Sequence, residues 1–498
     1  MSLVLAIDIG TGSCRGALYT KDLHCLKSAA VEYPTHYPQP DWAEQDPETL
    51  YEAVLKIVAE IVAAPRGTEK IAALTLDCSV HTLMGLGEDK TPLTSILTWE
   101  DSRARSLVGE WQRDGKGTEL YFLTGCPLHP MYAPAKIAWW RRNQPDLFRR
   151  TAYYVTAKAF ILHRLTGRLL EDQATVSGGG LLNVHQLDWE AEALQLAGIG
   201  REQLPPVAPP SEMIYGLGAE FCRRTGLDPA TPVIIGSSDA AMSSLGSGTI
   251  RPEQMTVMIG TSGAVRRLVN KPVLDPQRRT FCYYLGNGQW YAGGAINNGG
   301  VVLRWFRDNF GARAATEAKE RGVTTYAMLN EYAATVGPGS EGLLFLPFLA
   351  GERAPNWNGN MRGIYFGVSL HHGQAAFIRA IMEGVSYRMY SVYNPLKELL
   401  GEPEQILTTG GFSRSSLWLQ ILADVLGREL SVTGEPEGSI LGAAAFAFHA
   451  LGEWNSFQRL AAMNPVQRVI RPQPEIHQFY DREFQRYARI YQKIKDEF

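Results

Sequence analysis

The sequence predicts an α/β protein of two related domains that close on one nucleotide. A chain of 498 residues is too long for one hydrophobic core and is expected to form two large domains. A glycine-rich hairpin pattern occurs at residues 4–19 and again at residues 255–265, about one domain-length further on. In the N-terminal part, predicted strands are followed by a helix and another strand, which favours a mixed α/β sheet with active groups at its strand ends.

The first hairpin begins with an apolar strand that contains Asp8 and continues into a second strand at Arg15. The turn between them is Gly10, Thr11, Gly12 and Ser13. Glycines allow a tight turn and a close ligand, while backbone N–H groups and hydroxyls can converge on an anion. This stretch is therefore predicted to hold phosphate, and Asp8 to hold a magnesium ion through its water ligands.

The second hairpin repeats this plan with Gly260 and Thr261 in its turn. Each pattern alone is also compatible with an ordinary hairpin turn, because glycine-rich turns are common. Two copies favour two related domains on one nucleotide. The small-residue run that ends at Gly248 marks the end of the first domain, so we predict domains at residues 1–247 and 248–498.

The composition gives no sign of a nucleic-acid or membrane partner. A net charge of -3 gives no reason to propose nucleic acid or an anionic membrane surface. No apolar run approaches the roughly 18 residues of a membrane helix, and the N-terminus lacks the features of a secretion signal. The six cysteines include no C-x-x-C pair, so we expect a cytoplasmic protein with reduced thiols.

After the first hairpin, a third strand is predicted near residues 26–33, a helix from Pro47, and a strand over residues 71–76. Trp99, Asp101 and Arg103 follow within five residues. A carboxylate, a guanidinium and an aromatic ring together suit a polyhydroxylated substrate. The same residues also suit a helix N-terminus, and both interpretations stay open here.

Two further stretches of the first half carry polar candidates. His129 stands between two prolines, where a stiff loop either places a ligand group or holds a structural histidine. The strand at residues 233–235 breaks at Gly236 and enters a helix near Asp239. Asp239 is either an ordinary helix cap or a carboxylate that faces a cleft.

In the second half, residues 293–300 are predicted to open a helix in a way that suits a nucleotide. A polar, proline-rich loop over residues 347–359 contains Glu352 and Arg353. A long helix is predicted near residues 374–400, and residues 407–413 again run from a strand into glycines.

In this order, the motifs resemble those of the FGGY carbohydrate kinases over essentially the whole chain. They are Asp8-Ile9-Gly10-Thr11 with Arg15, Trp99-x-Asp101-x-Arg103, Gly236-x-x-Asp239-Ala240, Gly260-Thr261-Ser262-Gly263, Gly410-Gly411 with Gln420 and Asp424, and Glu437 through Ala444. The resemblance implies the two-domain actin-like, ribonuclease-H-like ATPase fold with a nucleotide cleft between its domains.

The resemblance also implies an ATP- and Mg²⁺-dependent kinase in which Asp239 accepts the proton of the attacking hydroxyl. Four further residues match nucleotide-contact positions of the family: Gly300, Arg304, Gly411 and Ser415. Residues 125–131, 297–300 and 349–355 are most similar to the gluconate kinases of the family. Xylulose kinases usually carry Gln-Met-His-Gly at residues 79–82, where this chain has Ser-Val-His-Thr.

A sugar-acid substrate needs cationic or hydrogen-bond-donating groups around its carboxylate. The candidates for this role are His81, Arg103, His129 and Lys136. Three alternatives stay open: a kinase for another sugar or polyol, an actin-like ATPase or sugar-binding protein without kinase activity, and a dinucleotide-binding protein, whose glycine spacing residues 10–16 miss by one position. A homodimer is possible, and the sequence names no protein partner.

Overall fold

The computed structural model describes residues 2–64, 69–434 and 438–498. Glu437, which belongs to the last family motif, lies outside the described residues. The strands are β1 (Ser2–Ile9), β2 (Ser13–Thr20), β3 (Cys25–Glu32), β4 (Glu44–Gln45), β5 (Lys70–Cys78), β6 (Met84–Leu86), β7 (Ile96–Leu97), β8 (Tyr153–Val155), β9 (Glu171–Asp172), β10 (Val207–Ala208), β11 (Met213–Ile214), β12 (Val233–Ile234), β13 (Gln254–Ile259), β14 (Gly263–Val269), β15 (Phe281–Gly286), β16 (Gln289–Ile296), β17 (Leu344–Leu346), β18 (Ile364–Phe366), β19 (Gln405–Thr409), β20 (Leu430–Thr433) and β21 (Val466–Ile470).

Helices connect and cover these strands. They are α1 (Pro47–Val62), α2 (Arg105–Arg113), α3 (Leu120–Thr124), α4 (Ala133–Asn143), α5 (Pro145–Arg150), α6 (Ala157–Thr166), α7 (Gln173–Ser177), α8 (Ala191–Ala197), α9 (Ala219–Thr225), α10 (Asp239–Gly246), α11 (Gly300–Phe310), α12 (Ala312–Arg321), α13 (Thr325–Ala334), α14 (Gln374–Leu400), α15 (Ser416–Leu426), α16 (Gly438–Ala450), α17 (Gln458–Met463) and α18 (Pro474–Ile494). Three short 3₁₀ turns, at residues 201–203, 340–342 and 411–414, complete the described elements.

Two mixed sheets organise the chain. The first has the order β11-β12-β5-β1-β2-β3, and the second has the order β15-β16-β14-β13-β19-β20-β21. In each sheet an antiparallel hairpin (β1–β2 or β13–β14) is extended by a parallel strand (β5 or β19) on the first strand's outer side. The two halves of the chain therefore share one plan, as the repeated hairpin pattern predicted.

The local signals of the sequence explain why the principal elements begin and end where they do. Pro47 occupies the first turn of α1, and Asp46 caps that helix by accepting a hydrogen bond from the Thr49 N–H at 2.8 Å, as is typical of helix starts. The long helix α14 spans the predicted residues. Because a strand, β2, follows the first glycine turn, the dinucleotide-binding alternative, which needs a helix there, is wrong.

Helices α10 and α16 join the two halves. Helix α16 lies in the C-terminal half, yet it packs on α10 and on strands β1 and β5 of the first sheet. A Cβ atom at Gly442 would lie 2.0 Å from the Met242 carbonyl oxygen, and one at Gly246 would lie 1.8 Å from the Gly438 carbonyl oxygen. The two helix backbones are thus in direct contact, which only glycine permits.

Two further observations concern the cysteines and the character of the helices. Cys14, Cys78, Cys126 and Cys282 are buried thiols that form no disulfide. Among the helices of the described ranges, none combines the length and the apolar character needed to cross a membrane.

Candidate active site

Three cavities meet at the Thr261 hairpin. The central cavity, of about 690 Å³, lies between the β1–β2 and β13–β14 turns and is lined by both halves of the chain. The outer cavity, of about 490 Å³, opens beside Trp99 and Arg353, which also line the central cavity. The apolar cavity, of about 450 Å³, lies between α11, α13 and the start of α15. Thr261 lines all three.

Asp239 stands at the first position of α10 and lines the central cavity. Gly236 makes the turn before it with φ +76°, where a Cβ would lie 1.9 Å from the Leu76 carbonyl oxygen. Ser238, rather than Asp239, caps the helix by accepting the Ala241 N–H at 3.3 Å. Burial and the negative charge of Asp8 raise the pKa of Asp239 to about 6. Asp239 is therefore available to accept a proton near neutral pH.

A second carboxylate of the cavity is Asp8, which is 2% exposed. Its Oδ2 accepts hydrogen bonds from Arg15 at 2.7 Å and from the Ser439 hydroxyl at 2.8 Å. Its Oδ1 is buried and has no hydrogen-bond partner within the described residues. A carboxylate oxygen without a hydrogen-bond donor, at the edge of the central cavity, fits a hydrated magnesium ion, which prefers oxygen ligands.

Asp77 is a neighbour of this group that was not singled out as a site residue. Parallel pairing of β1 with β5 places it directly beside Asp8. Burial and the charge of Asp8 raise the pKa of Asp77 well above its usual value. The register of two parallel strands, which the sequence does not specify, brings the two carboxylates together.

Both glycine turns are fixed by contacts from elsewhere in the chain. Trp99 donates its indole N–H to the Thr11 hydroxyl at 2.9 Å, and the Tyr33 hydroxyl donates to the Gly10 carbonyl at 2.6 Å. In the second half, the Gly300 N–H donates to the Gly260 carbonyl at 2.7 Å. Gly10, Thr11, Gly12 and Arg15 line the central cavity, and Ser13 begins β2 immediately behind them.

The apolar cavity brings together the four residues that were matched to nucleotide positions: Gly300, Arg304, Gly411 and Ser415. Its walls are formed by the apolar or aromatic side chains Leu303, Tyr326, Phe412 and Trp418. The Ser415 hydroxyl is held in place, because it accepts the Trp418 N–H at 3.1 Å and donates to Asn330 at 2.7 Å. A pocket with these walls that opens towards a phosphate turn suits a planar base.

His81 presents an acceptor to the central cavity. Its Nδ1 lies 2.7 Å from the Gly178 carbonyl and must donate to it, so Nε2 carries the lone pair. Burial and the charge of Arg353 lower the pKa of this imidazole well below its usual value. Its backbone has φ +66°, a strained conformation that is common at functional sites.

His129 lines the outer cavity instead and has the opposite tautomer. Its Nδ1 accepts the Met131 N–H at 3.3 Å, so Nε2 carries the hydrogen, and this buried N–H has no partner within the described residues. Burial and the charge of Arg353 lower the pKa of His129 to about 3. The ring is thus a neutral donor.

Asp101, Arg103 and Lys136 are held by internal contacts. Arg103 pairs with Asp101 at 2.8 Å and with Glu44 at 2.5 Å, and its guanidinium lies over Trp42 at 3.9 Å. The Lys136 ammonium donates to the carbonyls of His81 and Thr98, and burial lowers its pKa to about 7. Direct substrate contact by these three residues stays a prediction.

Two arginines that were not predicted as site residues line the central cavity. Arg266 lies on β14 and Arg353 in the loop after β17, and each is 8% exposed. Arg266 Nε and Nη1, and Arg353 Nε, have no hydrogen-bond partner within the described residues. Burial lowers the pKa of the Arg353 guanidinium. The sequence signals were a charged pair, Arg266 and Arg267, inside an apolar strand, and the polar loop over residues 347–359 that contains Arg353.

Comparisons with known proteins agree on one family. The models of the N-terminal and C-terminal domains of the FGGY family of carbohydrate kinases match residues 3–246 and 255–451. A gluconokinase of Bacillus subtilis is 37% identical over 463 residues, which cover 93% of this chain and 90% of the relative.

Solved structures give the same result. The gluconate kinase of Lactobacillus acidophilus has a TM-score of 0.92 at 31% identity and covers 99% of this chain and 98% of its own. The ligand-bound xylulose kinase of the same organism has a TM-score of 0.92 at 31% identity and covers 99% of each chain.

Proposed function

This chain belongs to the FGGY family of carbohydrate kinases, and on that premise we propose that it phosphorylates D-gluconate to 6-phosphogluconate. As a carbohydrate kinase it takes ATP and a sugar-type substrate. The assignment to a sugar acid is supported by the gluconokinase relative at 37% identity over 93% of this chain. Three buried guanidinium nitrogens of Arg266 and Arg353 in the central cavity lack a hydrogen-bond partner among the described residues, which is compatible with an anionic sugar.

The observation that carries the chemistry is the position of Asp239 in a cavity bounded by two phosphate-type turns. We propose that Asp239 orients the acceptor hydroxyl and takes its proton. A new bond forms between the hydroxyl oxygen and the γ-phosphorus while the bond from that phosphorus to the ADP oxygen breaks. A sugar hydroxyl is too weak an acid to ionise beforehand, so the proton moves to Asp239 as the bond forms.

The remaining residues bind and orient the nucleotide in this proposal. The apolar cavity takes the base, and the turns at Thr11 and Thr261 take the phosphates. Asp8 holds Mg²⁺ through water, and the ion when bound neutralises charge on the phosphates. His81 Nε2 accepts a hydrogen bond from a substrate hydroxyl. Closure of the halves excludes water, which would otherwise compete as acceptor.

The test is coupled ADP release with Mg-ATP against gluconate, xylulose, ribulose, glycerol and erythritol. Turnover with gluconate well above the other compounds supports the proposal. Efficient turnover of a ketose or polyol instead overturns the sugar-acid assignment and leaves the assignment as a kinase intact. ATP hydrolysis that none of these compounds stimulates overturns both the sugar-acid assignment and the assignment as a kinase for these compounds.

The variant Asp239→Asn tests whether Asp239 takes the proton of the acceptor hydroxyl. It should lower kcat by about 10²- to 10⁴-fold while the equilibrium affinity for ATP changes little, because the apolar cavity is untouched. Asp114→Asn, at an exposed aspartate after α2, is the matched control. Near-normal turnover in Asp239→Asn would refute this role.

A further inference from the structure

We infer that Arg266 binds the carboxylate of the substrate, with Arg353 as the neighbouring positive charge, so that these two residues determine the preference for a sugar acid over a neutral sugar. This inference rests on the proposed function. It assigns the carboxylate to residues other than His81, Arg103, His129 and Lys136, the groups that the sequence offered.

The first argument is that Arg266 is buried without an ion-pair partner among the described residues. Its side chain belongs to a residue that is 8% exposed, and two of its three guanidinium nitrogens lack a hydrogen-bond partner within the described residues. Within the same residues, no carboxylate lies within ion-pair distance of it. A buried charge without a partner is costly. An anionic ligand in the central cavity supplies the missing partner.

The second argument is the proximity of two like charges. The positive charge of Arg266 acts on Arg353 as well as on Asp239, and both arginines line the same cavity. Arg353 donates to the Ile296 carbonyl at 3.2 Å and lies 4.9 Å over the Trp99 ring. It is thereby fixed in position, and the nearby Glu352 carboxylate, which acts on Arg353, forms its ion pair with Arg388 at 3.4 Å instead. Two buried guanidinium groups that face one cavity favour a carboxylate there.

The third argument is the distance along β14. Alternate residues of a strand face the same side, so Ala264 and Arg266 both line the cavity, about 6.8 Å apart along the strand. The carbon chain of a six-carbon acid, extended from its terminal CH₂OH to its carboxylate, spans about 6 Å. A hydroxyl near the Thr261 turn and Asp239 therefore leaves the carboxylate near Arg266.

The fourth argument is that small residues line the central cavity beside Arg266. Ala264 pairs with Ala295 across β14 and β16, two residues from Arg266 along β14, and both alanines line the cavity. Because these two side chains are short, the substrate chain can pass them towards the guanidinium.

The competing candidates are less suitable. Arg103 and Lys136 already bind internal acceptors, and Arg103 is not among the residues that line the central cavity. His81 and His129 have lowered pKa values because they are buried near Arg353, so they contribute no positive charge.

The experiment compares gluconate with D-glucitol, which has a CH₂OH group in place of the carboxylate. Binding of each to wild type, Arg266→Met and Arg266→Lys is measured by calorimetry with the full-length protein, together with kcat and KM for both acceptors and for ATP. Arg267→Met is the matched control, because Arg267 is the adjacent residue, is also 8% exposed, and donates to the Pro252 and Gly401 carbonyls instead.

Arg266→Met should weaken gluconate binding by about 100-fold, as expected for two charge-assisted hydrogen bonds, and leave the KM for ATP unchanged. The preference for gluconate over glucitol should disappear. Arg266→Lys, which keeps the charge and loses the fork of donors, should retain part of that preference. Arg267→Met should keep the full preference. The ligand-free Arg266→Met protein should melt near wild type, because Arg266 forms no ion pair within the described residues that the substitution would break.

Three results would overturn the inference while gluconate remains a wild-type substrate. The first is an Arg266→Met protein that binds gluconate as tightly as wild type. The second is an equal fall in kcat for gluconate and glucitol with unchanged KM, measured at a pH well above the pKa of Asp239 so that this carboxylate stays ionised in the variant; that result would place Arg266 at the transferred phosphoryl group. The third is that Arg353→Met abolishes the preference for gluconate over glucitol while Arg266→Met retains it. Wild type that does not phosphorylate gluconate at all would instead refute the proposed function.

Discussion

Replacement of Arg103 by glutamine separates a substrate-binding role for this residue from a structural one. The Arg103 side chain is 2% exposed, and its partner Asp101 is fully buried. Asp101 also accepts the Ala43 N–H at 2.9 Å, while Arg103 reaches Glu44 at 2.5 Å. The variant leaves the Asp101 carboxylate buried without its cation, so the main effect should be on stability.

The expected magnitude follows from this burial. Removal of one partner of a buried ion pair costs about 3–5 kcal/mol, and the lost contact with the Trp42 ring adds about 1 kcal/mol. For a domain of about 150–250 residues, each kcal/mol lowers Tm by about 2–4 °C, so the loss of about 4–6 kcal/mol should lower Tm by roughly 15 °C. The double variant Asp101→Asn with Arg103→Gln should recover part of this loss, because neither charge is then left alone.

The assay is thermal unfolding followed by circular dichroism, with KM for the sugar measured at a temperature where the variant is folded. Arg142→Gln, which breaks an exposed pair with Glu110, should lower Tm by no more than about 3 °C. An Arg103→Gln protein that melts like wild type but has a KM raised by about 100-fold would refute the structural explanation. It would show that Arg103 contacts the substrate.

Two further predictions follow from Asp239 and from the turn that positions it. Burial and the charge of Asp8 raise the pKa of Asp239 to about 6, and only its ionised form accepts a proton, so kcat/KM should fall about tenfold per pH unit below roughly pH 6. A pH–rate profile that stays flat down to roughly pH 5 would contradict this. Gly236→Ala should abolish stable folding or reduce Tm strongly, because a Cβ would lie 1.9 Å from a carbonyl oxygen at φ +76°. Gly337→Ala, where no atom lies within 4 Å, should melt near wild type, and equal Tm values for the two variants would refute the steric argument.

The parts of the fold and site that the sequence predicted are those that local signals determine. The turns at Thr11 and Thr261, the break at Gly236 and the start of α1 at Pro47 each depend on glycine or proline at a fixed offset. Their positions could therefore be predicted without knowledge of the tertiary structure. The shared plan of the two sheets followed from the repetition of one such signal.

The parts that could not be predicted depend on register and on distant partners. Asp77 lies beside Asp8 only because β5 pairs in parallel with β1 in one register. Arg103 has its second acceptor 59 residues away, at Glu44, so its sequence neighbours do not show that its charge is already paired. Arg266 and Arg267 are adjacent and equally buried. They point to opposite faces of the sheet, and the sequence does not show which face borders the cavity.

The contact between α10 and α16 leaves no room for side chains at Gly246 and Gly442, so the two helix backbones are held at a closely fixed separation. Asp239 begins α10, and Ser439, which donates to Asp8, lies in the first turn of α16. One helix contact therefore helps to position two carboxylates of the central cavity: Asp239 at the start of α10, and Asp8 through its hydrogen bond from Ser439 at 2.8 Å. A substitution that pushes the two helices apart is expected to displace both carboxylates at once, although it lies in neither the cavity nor the glycine turns.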